Sequence, residues 1–187
     1  MTTNFPLNSN DSSTTLIKKS GITTWNSLLK TIQSFPYGRN SNRTDLNLVF
    51  SERKGSCSSK HAFLKKIADL NNIPNIQLIL GMYKMTEKNT PKIGTILTDN
   101  NIAFIPEAHC YLKIGDIRTD ITTQNSDFTE LKKDILKEIE ITPEQVSTYK
   151  VQYHKKYLKN WLTETNIKYS FDELWNIREQ CIVNLSN

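Results

Sequence analysis

Cys57 is the residue of this sequence whose type and context best suit a nucleophile. It follows Gly55-Ser56 and begins a segment whose apolar residues recur at helical spacing. A thiol in the first turn of a helix lies beside unpaired backbone N–H groups, at the positive end of the helix dipole, and both favour the thiolate. Three basic residues add positive charge nearby: Arg53, Lys54 and Lys60. The sequence therefore predicts a lowered pKa for Cys57.

A cysteine can equally be a small apolar residue of a protein core, without any chemistry. The serines at positions 56, 58 and 59 argue against that role for Cys57, because a core residue seldom has such polar neighbours. The other cysteines, Cys110 and Cys181, complete an odd set of three at irregular spacing. That set favours reduced thiols over a disulfide framework.

A base for this nucleophile lies on a predicted β-hairpin. Residues 108–114 and 117–121 are rich in β-branched and apolar side chains, and Gly115-Asp116 between them is typical of a two-residue turn. That turn makes His109 and Asp120 diagonal neighbours on one face of the hairpin, within reach of a hydrogen bond. A register slip of one residue would separate them, so the contact depends on the turn.

The alternation of side chains along a strand also separates the two candidate thiols. Cys110 follows His109 directly and must point to the opposite face of the strand. Cys57 is therefore the better candidate for the nucleophile. His109 is the candidate for the base that takes its proton, and Asp120 for the group that orients the base.

The segments that carry these residues form a recognisable pattern. They are Gly55-Ser56-Cys57 with Ala62, Leu64 and Ile67–Pro74, then Ala108–Lys113, and finally Thr119–Thr122. In order and context they resemble the nucleophile helix, the His-containing strand and the Asp-x-Thr strand of the transglutaminase-like superfamily, over about residues 49–122. The resemblance implies a papain-like Cys-His-Asp triad, in which Cys57 attacks a carboxamide or peptide carbonyl. His109 would then act as base and afterwards as acid, while Asp120 stabilises the imidazolium.

The sequence departs from the family pattern at three places. Asn72 replaces the frequent glycine before Ile-Pro, Cys110-Tyr111 replaces the common Ala-Trp, and the stretch between Trp25 and Cys57 contains no tryptophan. Relatives often use a Trp or Gln side chain beside the backbone N–H of the cysteine to stabilise the oxyanion. The candidates for that donor here are Tyr37, Asn40, Asn42 and Asn47. These departures admit a catalytically silent member of the superfold.

Two predicted helices frame the candidate site. Apolar residues recur at three- and four-residue steps from Ile22 to Ile32, which predicts a helix that ends before Pro36. The helix that begins at Cys57 should end near Asn72-Ile73-Pro74, a residue tolerant of the left-handed conformation followed by a helix breaker.

The remaining segments predict a strand first and helices later. Residues 76–83 indicate a strand, and the polar residues 84–101 indicate a loop with a short strand near 93–97. In the last third, one helix is predicted from four apolar residues at helical spacing: Phe128, Leu131, Ile135 and Ile139. Two capping boxes predict two more helices: Thr142-Pro143-Glu144-Gln145 and Ser170-Phe171-Asp172-Glu173.

Together these elements predict an α+β fold in which the nucleophile helix packs on an antiparallel sheet, with C-terminal helices around it. By the resemblance, this fold is papain/transglutaminase-like. We expect residues 1–19 to form a flexible N-terminal tail and residues 20–187 a single transglutaminase-like domain. Its core is predicted at about residues 20–124 and its helical C-terminal part at residues 125–187.

Length and composition exclude several classes of protein. The 187 residues suit one domain, and 37% hydrophobic with 23% charged residues is typical of a globular protein. The sequence has no apolar run near the ~20 residues of a membrane-spanning helix, so we expect no membrane association. The polar N-terminal segment lacks the basic and apolar regions of a secretory signal, which favours a cytoplasmic protein.

Zinc binding is a competing use of the same residues. Cys57 and His61 lie four positions apart on one side of the predicted helix, and His109-Cys110 could approach them. Adjacent strand residues point to opposite faces, however, and the sequence has no Cys-x-x-Cys or His-Glu-x-x-His spacing. We therefore expect neither a metal nor an organic cofactor. His61 is interpreted as a residue of the helix surface or a pocket wall, and His154 as a solvated surface residue.

The net charge of +5 would favour an anionic partner, although the charges are interspersed. Near the C-terminus, aromatic residues recur every four positions beside lysines: Tyr149, Tyr153, Tyr157 and Trp161, with Lys150, Lys155, Lys156 and Lys159. Such a stripe could bind nucleic acid. Packed aromatic residues with lysines on the solvated side of the helix are the simpler interpretation, which argues against a nucleic-acid partner.

The predicted activity is thiol-dependent acyl transfer on an amide or peptide carbonyl. Hydrolysis by a cysteine peptidase or amidase comes first, because water is always present, and transglutamination comes second. The predicted partner is a peptide, amide or protein substrate. The alternative is a catalytically silent member of the superfold that binds a protein or nucleic acid through its helical third.

Overall fold

The computed structural model describes residues 4–165 and 167–185 and has an α+β architecture. Its helices are α1 (Ser12–Lys19), α2 (Trp25–Ser34), α3 (Leu48–Ser51), α4 (Cys57–Leu70), α5 (Ile96–Asp99), α6 (Phe128–Lys132), α7 (Thr148–Glu164) and α8 (Phe171–Leu185). Its strands are β1 (Ile76–Met85), β2 (Ile105–Ile114), β3 (Ile117–Thr119) and β4 (Ile135–Ile141), which form one antiparallel sheet in the order β3-β2-β1-β4. The α+β class is thus confirmed. Within the described ranges, no helix is long and apolar enough to cross a bilayer.

Helix α4, which carries the predicted nucleophile, begins and ends where the sequence predicts. Ser56 is its N-cap, and the side chains of Ser56 and Ser59 exchange hydrogen bonds with each other's backbone N–H groups. The larger cluster of buried apolar residues, here called the main core, includes side chains from α2, α4, β1 and β2. Phe63, Leu64 and Ile67 of α4 are fully or almost fully buried in it. Asn72 adopts a left-handed φ of 52°, which reverses the chain after the helix.

The β2–β3 hairpin has the predicted register. Ile114 pairs with Ile117, and Leu112 pairs with Thr119. Gly115, the first residue of the turn, has a φ of 58°, as a two-residue hairpin requires. Strand β3 pairs with β2 only from Leu112 to Ile114. The part of β2 that precedes Leu112, which includes His109, is therefore an edge of the sheet.

The predicted helix over residues 128–139 is wrong beyond its first five residues. Helix α6 ends at Lys132, and β4 follows and pairs with β1. A spacing of four residues, as between Ile135 and Ile139, fits both the helical period and the alternation of a strand. The open edge of β1 decides between them, because its backbone groups need partners and β4 supplies them. The C-terminal part is therefore not wholly helical.

The predicted flexible tail is also wrong for the residues that the structure describes. Helix α1 is capped by the Asp11 side chain, and Leu7 and Ile17 are buried in the main core. Hydrogen bonds also hold this polar segment, since Asn71 at the end of α4 donates to Thr14. Residues 1–3 of the predicted tail lie outside the described residues. Farther along, a 3₁₀ turn (Pro91–Ile93) and α5 replace the short strand expected near residues 93–97.

Helices α7 and α8 pack beside the first half of β2 and form a second core. Its buried members include Ile105, Leu158, Leu174 and Ile177. Most of the aromatic stripe of α7 packs against the protein: Tyr153 and Tyr157 lie against the main core, and Trp161 against the second. Tyr149 remains 40% exposed. The two helices thereby form a wall that faces the start of α4.

Candidate active site

The start of α4 holds Cys57 beside the loop that precedes it. Gly55 pairs with Tyr37 as in a parallel sheet: its N–H donates to the Pro36 carbonyl, and its own carbonyl accepts from Gly38. A Cβ atom on Gly55 would lie 2.8 Å from the Lys60 side chain, so only glycine fits this close approach. The pairing brings Tyr37 to the side of the Cys57 thiol.

His109 and Asp120 meet as the hairpin register predicts. Asp120 Oδ2 lies 2.7 Å from His109 Nε2. Asp120 Oδ1 accepts hydrogen bonds from the backbone N–H and the hydroxyl of Thr122, at 2.9 and 2.6 Å. Because Nε2 is engaged by the carboxylate, Nδ1 is the ring nitrogen left for another partner. The Asp-x-Thr segment thus fixes the orientation of the imidazole.

The Cys57 thiol and the His109 imidazole lie close enough for the charge of each to shift the pKa of the other. His109 lowers the pKa of Cys57, and Cys57 raises the pKa of His109. The structure therefore brings together all three residues that the sequence singled out: Cys57, His109 and Asp120.

The charges in this group support a thiolate–imidazolium pair at neutral pH. Burial raises the pKa of Cys57, but Lys150 and His109 more than offset it and lower the pKa to about 6. Burial lowers the pKa of His109, whereas the negative charges of Asp120 and Cys57 raise it well above its ordinary value. Asp120 keeps a lowered pKa despite its burial because His109 lies beside it. At a pH between the lowered pKa of Cys57 and the raised pKa of His109, the sulfur carries a negative charge and the imidazole ring a positive charge.

Lys150 on α7 is a member of the site that the sequence interpretation missed. Its Nζ donates a hydrogen bond of 2.6 Å to the Ser58 hydroxyl, and that oxygen lies 3.8 Å from the sulfur of Cys57. Placing Lys150 among the solvated lysines was wrong, although Lys155, Lys156 and Lys159 are indeed exposed. A signal was present, because Lys150 lies at helical spacing with the buried His154 and Leu158.

His61 is buried inside the protein rather than on the helix surface or a pocket wall. It has no exposed surface; its Nδ1 lies 2.7 Å from the Cys57 carbonyl, and its Nε2 lies 2.9 Å from the backbone N of Ile121. Because Ile121 N–H can only donate, Nε2 accepts and Nδ1 carries the proton. Burial lowers the pKa of His61 to about 4, so the ring is neutral. It ties the first turn of α4 to the residue after Asp120.

His154 is likewise buried, which corrects the expectation of a solvated residue. Only 2% of it is exposed, and its Nε2 lies 2.8 Å from the Pro106 carbonyl. Its ring packs against Trp175 of α8, with the ring centroids 5.2 Å apart. The contact fastens α7 to β2 next to Glu107, whose carboxylate binds Arg178 through both oxygens.

The other two cysteines have surroundings that differ from those of Cys57. Cys110 is fully buried in the main core, and burial raises its pKa. Cys181 is buried in the second core, where burial raises its pKa to about 11. Both are free thiols. Cys57 alone among the three has a lowered pKa.

A cavity of about 320 Å³ opens beside Cys57, between the start of α4, the loop before it and the wall of α7 and α8. Two of the four candidate oxyanion donors line it: Tyr37 and Asn40. Asn40 already donates both amide hydrogens, to Glu52 and to the Lys54 carbonyl. The other two, Asn42 and Asn47, bind elsewhere: the first accepts from Thr44, the second from Ser13 and Lys66. Tyr37 is therefore the remaining candidate for the oxyanion donor that lines the cavity.

The residues proposed for zinc have other partners. Both ring nitrogens of His61 are used within the protein, and Nε2 of His109 is used by Asp120. In the described part of the chain, no group of three or more His, Cys, Asp or Glu residues is arranged to hold a metal ion.

Comparison with known proteins finds no family model, no curated protein and no solved structure that matches this chain.

Proposed function

We propose that this protein catalyses thiol-dependent acyl transfer on an amide or peptide carbonyl, with a papain/transglutaminase-like triad of Cys57, His109 and Asp120. The observation that supports it most is the meeting of sulfur, imidazole and carboxylate, in that order, beside an open cavity. The lowered pKa of Cys57 makes the nucleophilic form abundant at neutral pH. Hydrolysis is the first choice of reaction.

In the acylation step, the Cys57 thiolate attacks the carbonyl carbon and forms a C–S bond. The carbonyl electrons move to oxygen, and the resulting oxyanion is stabilised by the backbone N–H of Cys57 and the Tyr37 hydroxyl. When the C–N bond breaks, imidazolium His109 gives its proton to the leaving amine. The products are a thioester on Cys57, a free amine and a neutral imidazole.

In the deacylation step, neutral His109 takes a proton from water, which attacks the thioester. The C–S bond breaks, a carboxylic acid leaves, and the thiolate–imidazolium pair is restored. An amine in place of water would make the reaction a transamidation. Asp120 keeps the ring oriented and stabilises its positive charge through both steps.

The test uses p-nitrophenyl acetate, an activated ester that any nucleophilic thiolate of this kind can accept. Its acyl group should pass to Cys57 with release of p-nitrophenolate, in a burst equal to the amount of protein, followed by slower turnover. Peptide mass spectrometry should find the acetyl group on Cys57. The Cys57→Ala variant should lack the burst, whereas Cys181→Ala, whose buried thiol does not line the cavity, should retain it.

His109→Ala separates catalysis from simple thiol reactivity. Without the imidazole, acylation should slow at least about tenfold and the thioester should persist, because no base activates water. A protein that only binds a partner would release p-nitrophenolate no faster than its Cys57→Ala variant. That outcome would contradict the proposal.

A further inference from the structure

The acidic residues in the wall of the cavity are already neutralised by arginines. Glu107 is 5% exposed and accepts from Arg178 with both oxygens, at 2.7 and 2.5 Å. Glu179 accepts from Arg178 at 2.6 Å and from Arg39 at 3.1 Å. These carboxylates therefore have no charge left for a cationic substrate.

Three further cations line the same cavity: Arg43, Lys150 and Lys155. Within the described ranges, these three side chains form no ion pair with a carboxylate. Lys150 bonds to the neutral Ser58 hydroxyl and keeps two further N–H donors, and Lys155 lies over the Trp175 ring, 5.0 Å from its centroid. Lys150 balances the negative charge of the Cys57 thiolate, so Arg43 and Lys155 give the wall its excess of positive charge.

From these observations we infer that the cavity selects an acidic peptide, one that carries a carboxylate for Arg43 and Lys155. The inference rests on the proposed function, since it names the substrate class of the same site. It assigns roles in specificity to residues that come mainly from α7 and the loop after Tyr37. A basic or neutral peptide would leave the excess positive charge without a partner.

The first experiment compares iodoacetate with iodoacetamide, two alkylating reagents of similar size that differ in the carboxylate. In both, the Cys57 thiolate attacks the CH₂ carbon, a C–S bond forms, and iodide leaves. The quantity measured is the ratio of the iodoacetate rate constant to the iodoacetamide rate constant at Cys57, relative to the same ratio in the unfolded protein. We expect the folded protein to raise this ratio at least about tenfold at low salt and to lose most of that gain at high salt.

Variants locate the effect in the cavity. Lys155→Gln and Arg43→Gln should each lower the ratio about threefold. The matched control is Lys156→Gln, because Lys156 is exposed on the same helix but does not line this cavity. An equal loss in the control would mean that the overall charge of the protein, and not the cavity, attracts the anion, which would overturn the inference.

The second experiment tests for a peptide. Acetylated, amidated tetraglutamate should protect Cys57 from iodoacetamide, whereas the matched tetraglutamine peptide should not. Rapid alkylation by iodoacetamide without a preference for iodoacetate or protection by tetraglutamate would overturn the inference and leave the proposed function standing. Slow alkylation of Cys57 by both reagents, at the rate of the buried Cys110, would overturn both.

Discussion

Replacing Lys150 with methionine should raise the pKa of Cys57 while preserving the fold. Methionine keeps the aliphatic stem of lysine and removes the ammonium group, which is the leading charge that favours the thiolate. Lys150 is joined to the thiol only through the Ser58 hydroxyl, so the substitution breaks one hydrogen bond. The change thus tests electrostatics rather than packing.

The magnitude follows from two distances. Nζ lies 2.6 Å from Ser58 Oγ, and that oxygen lies 3.8 Å from the sulfur, so the two charges are at most about 6.4 Å apart. With an effective dielectric constant of about 20, their attraction is about 2.6 kcal/mol. Since about 1.4 kcal/mol corresponds to one pKa unit, the pKa of Cys57 should rise by about 2. It would move from about 6 to about 8.

The assay is the rate of Cys57 alkylation by iodoacetamide as a function of pH. The rate of the native protein should rise through the pKa of Cys57, near 6, whereas Lys150→Met should reach half its maximum near pH 8. Lys150→Arg, which keeps the charge, should resemble the native protein. Lys156→Met controls for the loss of one exposed lysine on α7. If the midpoints of Lys150→Met and the native protein coincide, the ammonium does not stabilise the thiolate and the reasoning fails.

Two further predictions concern the frame around the site. Glu107→Gln leaves Arg178 without its bidentate partner and should lower the free energy of unfolding at pH 7 by about 3 kcal/mol, measured by urea denaturation. Because the folded pKa of Glu107 is lowered from 4.5 to about 2, the difference from the native protein should shrink as pH falls through that interval; a constant difference would contradict the assignment. Gly81→Ala would place a Cβ atom 2.7 Å from the Tyr111 hydroxyl and 2.8 Å from its ring, and should cost about 1–3 kcal/mol in the same measurement. Tyr111→Leu in the Gly81→Ala background should recover part of that loss, and no recovery would show that the clash is not the cause.

The parts of the site that depend on short stretches of chain were predictable. Ser56 caps α4 through Ser59, which places Cys57 at the first turn of the helix. The Gly115-Asp116 turn sets the register of the hairpin, and strand alternation then brings His109 to Asp120. In each case the determining interactions span only a few residues, so local chemistry is sufficient.

Other features were decided by partners far away in the chain. Ile135 and Ile139 fit a helix and a strand equally well by spacing, and the free edge of β1 selects the strand. Leu7 and Ile17 become core residues because α4 and α2 offer them an apolar surface. His61 lies inside the protein, where its Nε2 accepts a hydrogen bond from the backbone N–H of Ile121, 60 residues away.

The sequence by itself determined which residues are able to do chemistry and the helix start and hairpin that present them, because backbone preferences and side-chain alternation act locally. The tertiary structure alone decided the electrostatic surroundings of the thiol. Lys150 bonds to Ser58, 92 residues away in the chain, and Arg178 bonds to Glu107, 71 residues away. Charge interactions depend on distances in space, and those distances exist only once α7 and α8 have packed beside the sheet.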